Sequence, residues 1–91
     1  MNTPIVYTIS DAYPNPFNPS TSIDIALDTD ANVSVKVFNI MGQLVDVISD
    51  GNLNAGSHSV IWDASQVASG VYFINTQIES DVNVQKIMLV K

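Results

Sequence analysis

The sequence predicts an all-β chain whose antiparallel strands stack as a two-layer sandwich. Apolar residues recur at every second position in segment after segment, and no window of useful length keeps them at helical spacing. Clusters of Gly, Asn, Asp and Pro interrupt these segments every 8 to 12 residues or so, at about the interval of short sandwich strands. With 46% hydrophobic and 13% charged residues, the 91-residue chain can bury one modest core. It holds no cysteine, so neither disulfides nor thiolate metal sites can staple that core.

Each element has its own reason. An opening strand is expected near "IVYTIS". In "AYPNPFNPS", Pro14, Pro16 and Pro19 fix φ and push Tyr13, Asn15 and Asn18 toward extended geometry. That stretch is expected to be a stiff strap that closes one end of the sandwich and delivers Phe17 to the core at small entropic cost. "TSIDIAL" sets Ile23, Ile25 and Leu27 on one face, and "VSVKVFNI" does the same with Val33, Val35 and Val37. The polar "DTDAN" between them predicts a hairpin. Met41-Gly42 offers a glycine for positive φ, and "QLVDVIS" resumes a strand before a loop at "DGNLNAG", which includes Gly56. "HSVIWD" puts Val60 and Trp62 on one face, "GVYFINTQIE" is a long strand, "SDVN" turns, and "VQKIMLVK" closes the chain. About seven strands result, the pattern of an immunoglobulin-like antiparallel β-sandwich, with an open barrel or a single sheet under a covering loop as the alternatives.

Charge and motif content narrow the function. Nine carboxylates against three lysines give a net charge of −6, which opposes phosphate backbones and anionic lipid, so no nucleic acid partner is expected. No apolar stretch reaches the roughly 18 residues of a membrane helix, and "MNTPIVYTIS" lacks a signal peptide's basic and long apolar regions. No membrane insertion is expected. Asp28, Asp30 and Asn32 match the first half of a calcium loop, but Val33 and Asn39 occupy the positions that need glycine and a bidentate glutamate. His58 is the only histidine, and Asp63 lies roughly 16 Å along the same strand by rise, too far to orient it as a base. Neither a metal, a cofactor nor a catalytic constellation is expected. Trp62 and Tyr72 sit among alternating apolar neighbours and are expected in the core rather than on a sugar-binding platform. Asn32-Val33-Ser34 fits a glycosylation sequon at a strand start.

The last strand is different. "VNVQKIMLVK" holds two of the three lysines and no acidic side chain. Ile87 and Leu89 are expected to face the core, leaving Met88 and Val90 beside Lys86 on the other side. A strand apolar on both faces is either covered or offered to a partner. The expected mode of offering is strand addition, with the backbone edge, Lys86, Met88 and Lys91 displayed.

In their order and spacing, "YPNPFNPSTSIDIAL", "VSVKVFNIMGQLV", "LNAGSHSVIWDAS", "ASGVYFINTQ" and "QKIMLVK" resemble the type A C-terminal sorting domains of the bacterial type IX secretion system. That family is itself related to the immunoglobulin-like domain of hook-capping proteins. The chain departs from the pattern at Gln43, where the family often has arginine, and in a short "WDASQVASG" loop. The resemblance implies a tail that takes a covalently attached upstream passenger from the periplasm through an outer-membrane translocon. A shuttle protein and a sortase then act, and the product is secreted or held at the cell surface. It also implies that Pro14, Asn15 and Pro16 form the family's PNP element and Gly70 and Tyr72 its G-x-Y element. Lys86 and Lys91 would be the basic residues of its terminal strand. Phe17, Gly42, Gly56, Trp62 and Asp63 are expected to be structural, while Lys86, Met88, Val90, Lys91, Gly70 and Tyr72 carry the signal.

Residues 1–91 are thus expected to form one sorting domain, with 1–11 a first strand and linker to the passenger and 12–91 the sandwich. Such a tail is expected to end its parent protein at or near Lys91 and to have been cut from a longer chain. The alternative reading is a structural or ligand-binding immunoglobulin-like module of a larger extracellular enzyme or adhesin. A sorting tail must stand last, whereas such a module can sit anywhere.

Overall fold

The computed structural model describes residues 6–91 and consists of seven strands in two antiparallel sheets. The strands are β1 (Tyr7–Ile9), β2 (Ser20–Leu27), β3 (Ala31–Asn39), β4 (Leu44–Leu53), β5 (Gly56–Asp63), β6 (Gly70–Ile78) and β7 (Asp81–Leu89). One sheet has the order β1-β2-β5 and the other β4-β3-β6-β7. This is the two-layer sandwich that the alternation predicts. The part of the expected first strand at Ile5 lies outside the described residues.

The alternating residues meet between the layers. Ile23, Ile25 and Leu27 from β2 face Val33, Val35 and Val37 from β3, and all six are buried. Burying each such side chain contributes about 1.5–3 kcal/mol. An aromatic cluster closes the core near the end of β7. Trp62 lies 5.7 Å from Phe17 and 5.3 Å from Tyr72, the latter edge-on at 70°. The Trp62 indole N–H donates to Asp46 Oδ2 at 3.0 Å, so β5 is tied to β4 across the sandwich. A buried indole needs such an acceptor. Ile74, Ile78, Ile87 and Leu89 complete the four-stranded sheet's inner side.

Three local expectations are corrected. First, β2 and β3 are not a hairpin: β2 pairs with β1 and β5, and β3 with β4 and β6. Both strands bury the same parity, and period-two alternation does not say whether two such strands lie side by side or face to face. Three residues, Asp28 to Asp30, can reach across the ~10 Å between sheets as readily as they can turn a hairpin. Backbone amides hold this corner: Val6 donates to Asp28 Oδ1 at 3.2 Å and Ala55 to Asp30 Oδ1 at 2.8 Å.

Second, most of "DGNLNAG" is strand. Asn52 and Leu53 stay in register with Asn32 and Ala31, and only Asn54 and Ala55 turn before Gly56 starts β5. Bulges between Val35 and Lys36 and between Val37 and Phe38 shift the β3–β4 register, and Leu53 packs against the core. The partner ladder thus overrides a turn-rich composition. Third, the β6–β7 turn is only Glu79 and Ser80, since Ile78 already pairs with Asp81. Glu79 takes φ +53° without being glycine. Its N–H donates to the Asn32 carbonyl at 2.9 Å and its carboxylate accepts the Asn32 N–H, two bonds that hold an otherwise uncommon conformation. The β3–β4 hairpin forms as expected, with Gly42 at φ +79° and the Asn39 side chain accepting the Met41 and Gln43 amides.

Two substitutions probe this core. Trp62→Ala is expected to cost about 3–5 kcal/mol in denaturant unfolding, because the ring is only 3% exposed. The Thr76 hydroxyl is buried with no hydrogen-bond partner. Thr76→Val removes that unsatisfied group at nearly constant shape, so it is expected to raise stability by about 1 kcal/mol in the same measurement.

Candidate functional site

The site centres on β7 and the proline strap that runs beside it. Along β7, Ile87 and Leu89 point inward and are 1% exposed each, whereas Met88 is 41% exposed and Val90, just beyond the strand, 49%. Lys86 is also exposed. The strand's parity therefore separates an anchoring side from a displayed side, as expected.

From Lys86 to Val90 its backbone edge is not displayed, which corrects the strand-addition expectation for that half of the strand. Phe17 forms a parallel bridge with Leu89, its N–H donating to the Met88 carbonyl and its carbonyl accepting the Val90 N–H, both at 2.9 Å. The Asn15 side-chain amide occupies the preceding step: Nδ2 donates to the Lys86 carbonyl and Oδ1 accepts the Met88 N–H, each at 3.1 Å. Farther up, Gln85 Oε1 accepts the Ala12 N–H and Gln85 Nε2 donates to the Ser10 carbonyl, both at 2.8 Å. At the far end the Tyr7 hydroxyl donates to Asp81 Oδ2 at 3.2 Å. Partial loss of hydration, followed by repulsion from and hydrogen bonding to Asp81, holds the Tyr7 phenol above its ordinary pKa of 10.0.

The strap thus fills the seam between the sheets along β7, not an end of the sandwich. Stiff backbone at Pro14 and Pro16 suits it, because Asn15 must present both ends of its amide to a strand it does not belong to. Phe17, between the prolines, is 2% exposed. The strap's other side bridges β2, where Tyr13 pairs with Ser22 and the buried Thr21 hydroxyl donates to the Pro14 carbonyl at 2.8 Å.

The remaining predicted residues divide into three groups. Lys91 closes the loop between β5 and β6: its ammonium donates to the carbonyls of Ser65 and Val67, and its N–H to Ser69 Oγ at 3.2 Å. Tyr72 is 8% exposed, and its hydroxyl donates to the Ala68 carbonyl in the same loop. Asp63 Oδ1 accepts the Ser65 N–H at 2.9 Å. Gly70 starts β6 beside this loop, opposite Leu89. Lys91, Tyr72, Gly70 and Asp63 therefore meet at one loop that backs the end of β7. Only Lys86, Met88 and Val90 face away from the fold. Gly42, Gly56 and His58 lie elsewhere, with His58 Nε2 at 2.6 Å from the Asn54 carbonyl and turned to that tight turn.

The stretch from the strap to the terminal strand, residues 11–91, matches the secretion system C-terminal sorting domain family. The chain belongs to this family. It is a C-terminal sorting domain of the type IX secretion system, and its parent is a protein secreted or attached to the cell surface. Among solved structures, the sorting domain is similar to part of dimeric latent PorU from Porphyromonas gingivalis, with a TM-score of 0.72 at 19% identity. It is also similar to part of PorZ, described as an essential bacterial surface component of the type-IX secretion system of the same organism, with a TM-score of 0.58 at 22% identity. It spans 98% and 96% of itself but only 10% and 11% of those chains, and likeness at such identities shows the fold. No curated protein matches it.

Reading the sorting domain's sequence missed Gln85 and Asp46. A signal was present for Gln85, a polar residue at the inward parity of β7 just before Ile87 and Leu89. Inward polar positions need partners, and here they come from the strap. Asp46 left no such mark, since a bulge sets its direction.

The double role of Asn15 can be tested. Asn15→Ala is expected to destabilise by about 1–3 kcal/mol and to speed hydrogen exchange at the Met88 amide, because both bonds to β7 are lost. Asn15→Asp retains an acceptor for Met88 but not the donor to Lys86, and is expected to keep Met88 protected at an intermediate stability.

Proposed function

We propose that the type IX machinery reads this sorting domain through the outward side chains of its terminal strand, Lys86, Met88 and Val90. One observation carries the reading. From Lys86 to Val90 the backbone edge of β7 is occupied by Asn15 and Phe17 and its inner side by the core, so over these residues the outward side chains are what the strand has left to offer. Lys91, Gly70 and Tyr72 act from behind by fixing the loop against which the strand ends. The strap residues Pro14, Asn15, Pro16 and Phe17 hold the strand flat.

In this reading a passenger fused upstream travels with the tail through the periplasm to the outer-membrane translocon. A shuttle protein then takes up the tail, and a sortase separates it from the passenger at the surface. The domain's part is to be bound. No reaction is assigned to its residues: Asp63 is committed to the Ser65 amide and His58 to the Asn54 carbonyl.

The test is export of a fluorescent reporter fused ahead of residues 1–91 in a type IX host. Lys86→Glu with Met88→Glu is expected to lower surface reporter by roughly tenfold or more, as truncation of central interface residues does. Ser57→Glu, on the outer side of the three-stranded sheet, is expected to leave delivery unchanged. Equal export of the two variants, with equal unfolding midpoints, would remove the terminal strand from the signal.

A further inference from the structure

The two outer sides of the sandwich have opposite chemistry. Residues directly opposite in register share a face, so the pairings read out each surface row by row. On the four-stranded sheet one row is Leu44, Phe38, Phe73 and Lys86, crossing all four strands. The next is Val47, Lys36, Asn75 and Val84. On the three-stranded sheet the rows are small and polar, such as Asp24 opposite Ser59, joined by a 2.6 Å hydrogen bond, and Ser20 opposite Asp63.

Of the eleven large apolar side chains exposed among the described residues, Leu44, Val47, Val82, Val84 and Met88 stand on the outer face of the four-stranded sheet. Ile61 alone does so among the paired residues of the other sheet's outer face. Charge follows the same division. Lys36 and Lys86 are two of the chain's three lysines, and the one carboxylate among the paired residues of this face is Asp50, in the further row Asp50, Ser34, Gln77 and Val82, in a chain of net charge −6. Strand and residue spacing place the two lysine Cα atoms roughly 12 Å apart, on either side of β6.

We infer that this whole face, and not β7 alone, is a docking surface for a protein partner whose contact area is apolar with carboxylates opposite Lys36 and Lys86. The inference rests on the sorting reading above and widens its site to β3, β4 and β6. Charge complementarity selects the partner. A second copy of the chain docked through the same face in two-fold fashion would bring four lysines against only two Asp50 carboxylates, leaving positive charge unmatched in the interface. An anionic lipid surface would meet the chain's acidic excess, whereas a discrete protein surface can match two positive charges and avoid the rest.

The test adds two arms to the export assay. Lys36→Glu with Leu44→Ser lies two and three strands away from β7, and is expected to lower surface reporter roughly tenfold or more with an unchanged unfolding midpoint. Lys36→Arg with Leu44→Met is expected to export normally. Since a fold defect would blur the first arm, Lys36→Gln and Lys36→Glu are compared alone, and reversal is expected to lose more than neutralisation. If Lys36→Glu with Leu44→Ser exports normally while Lys86→Glu with Met88→Glu fails, the wide face is overturned and the strand reading stands. If both export normally, both fall. Two results on the purified 91-residue chain would also overturn the protein assignment: Lys36-dependent binding to phosphatidylglycerol vesicles, or a dimer in sedimentation that Leu44→Ser abolishes.

Discussion

An edge strand that is apolar on both sides and open along its backbone is a template for unwanted pairing. β7 would be such a strand, and the structure resolves the problem from within the chain. Asn15 and Phe17 complete the hydrogen bonds of Lys86, Met88 and Val90, and the Phe17 ring fills the space beneath them. The aromatic cluster depends on this arrangement, since Phe17 packs on Trp62 and Trp62 on Tyr72. The loop before β6 depends on it in turn, through the Tyr72 hydroxyl and the Lys91 ammonium. A single seam between strap and terminal strand therefore links the beginning of the fold to its end.

The stiffness of the strap follows from the same requirement. A side-chain amide that must satisfy a donor and an acceptor on a neighbouring strand has to arrive on a backbone already held in one shape, here bent from Pro14 to Pro16, and flanking prolines restrict that backbone before folding starts. A flexible segment could make the same bonds only by losing more conformational entropy, about 1–2 kcal/mol for each residue fixed. Residues between Pro14 and Pro19 thus serve architecture, and through it the display of Lys86 and Met88.

What the sequence discloses and what it conceals divide along a physical line. Alternation is a property of single strands, so the inward sets Ile23, Ile25, Leu27 and Val33, Val35, Val37 were legible, as were Trp62 in the core and the two sides of β7. Which strand lies beside which is a property of pairs, and nothing local distinguishes a hairpin at Asp28 to Asp30 from a corner between sheets. The edge of β7 was misjudged for a related reason. Its partner is a segment some 70 residues away that is not a strand, and the decisive bonds come from the side chain of Asn15. The family resemblance singled out Asn15 but carried no account of what it touches.

The composition of the two outer faces leads one step further. Lys36 and Lys86 are brought close only by the order β3-β6-β7, which exists once the sheet has formed. A receptor that touched the last strand alone would accept that strand in an unfolded tail as well as in a folded one. A receptor that touches Lys36, Phe73 and Lys86 together binds only the assembled sheet, and its affinity then includes the free energy of folding. The strap contributes to the same discrimination, because Asn15 and Phe17 complete the backbone hydrogen bonds of the stretch of β7 that carries Lys86 and Met88. Recognition of the face and integrity of the seam are therefore one condition, in which a tail that has not closed around Trp62 presents no continuous surface to be bound.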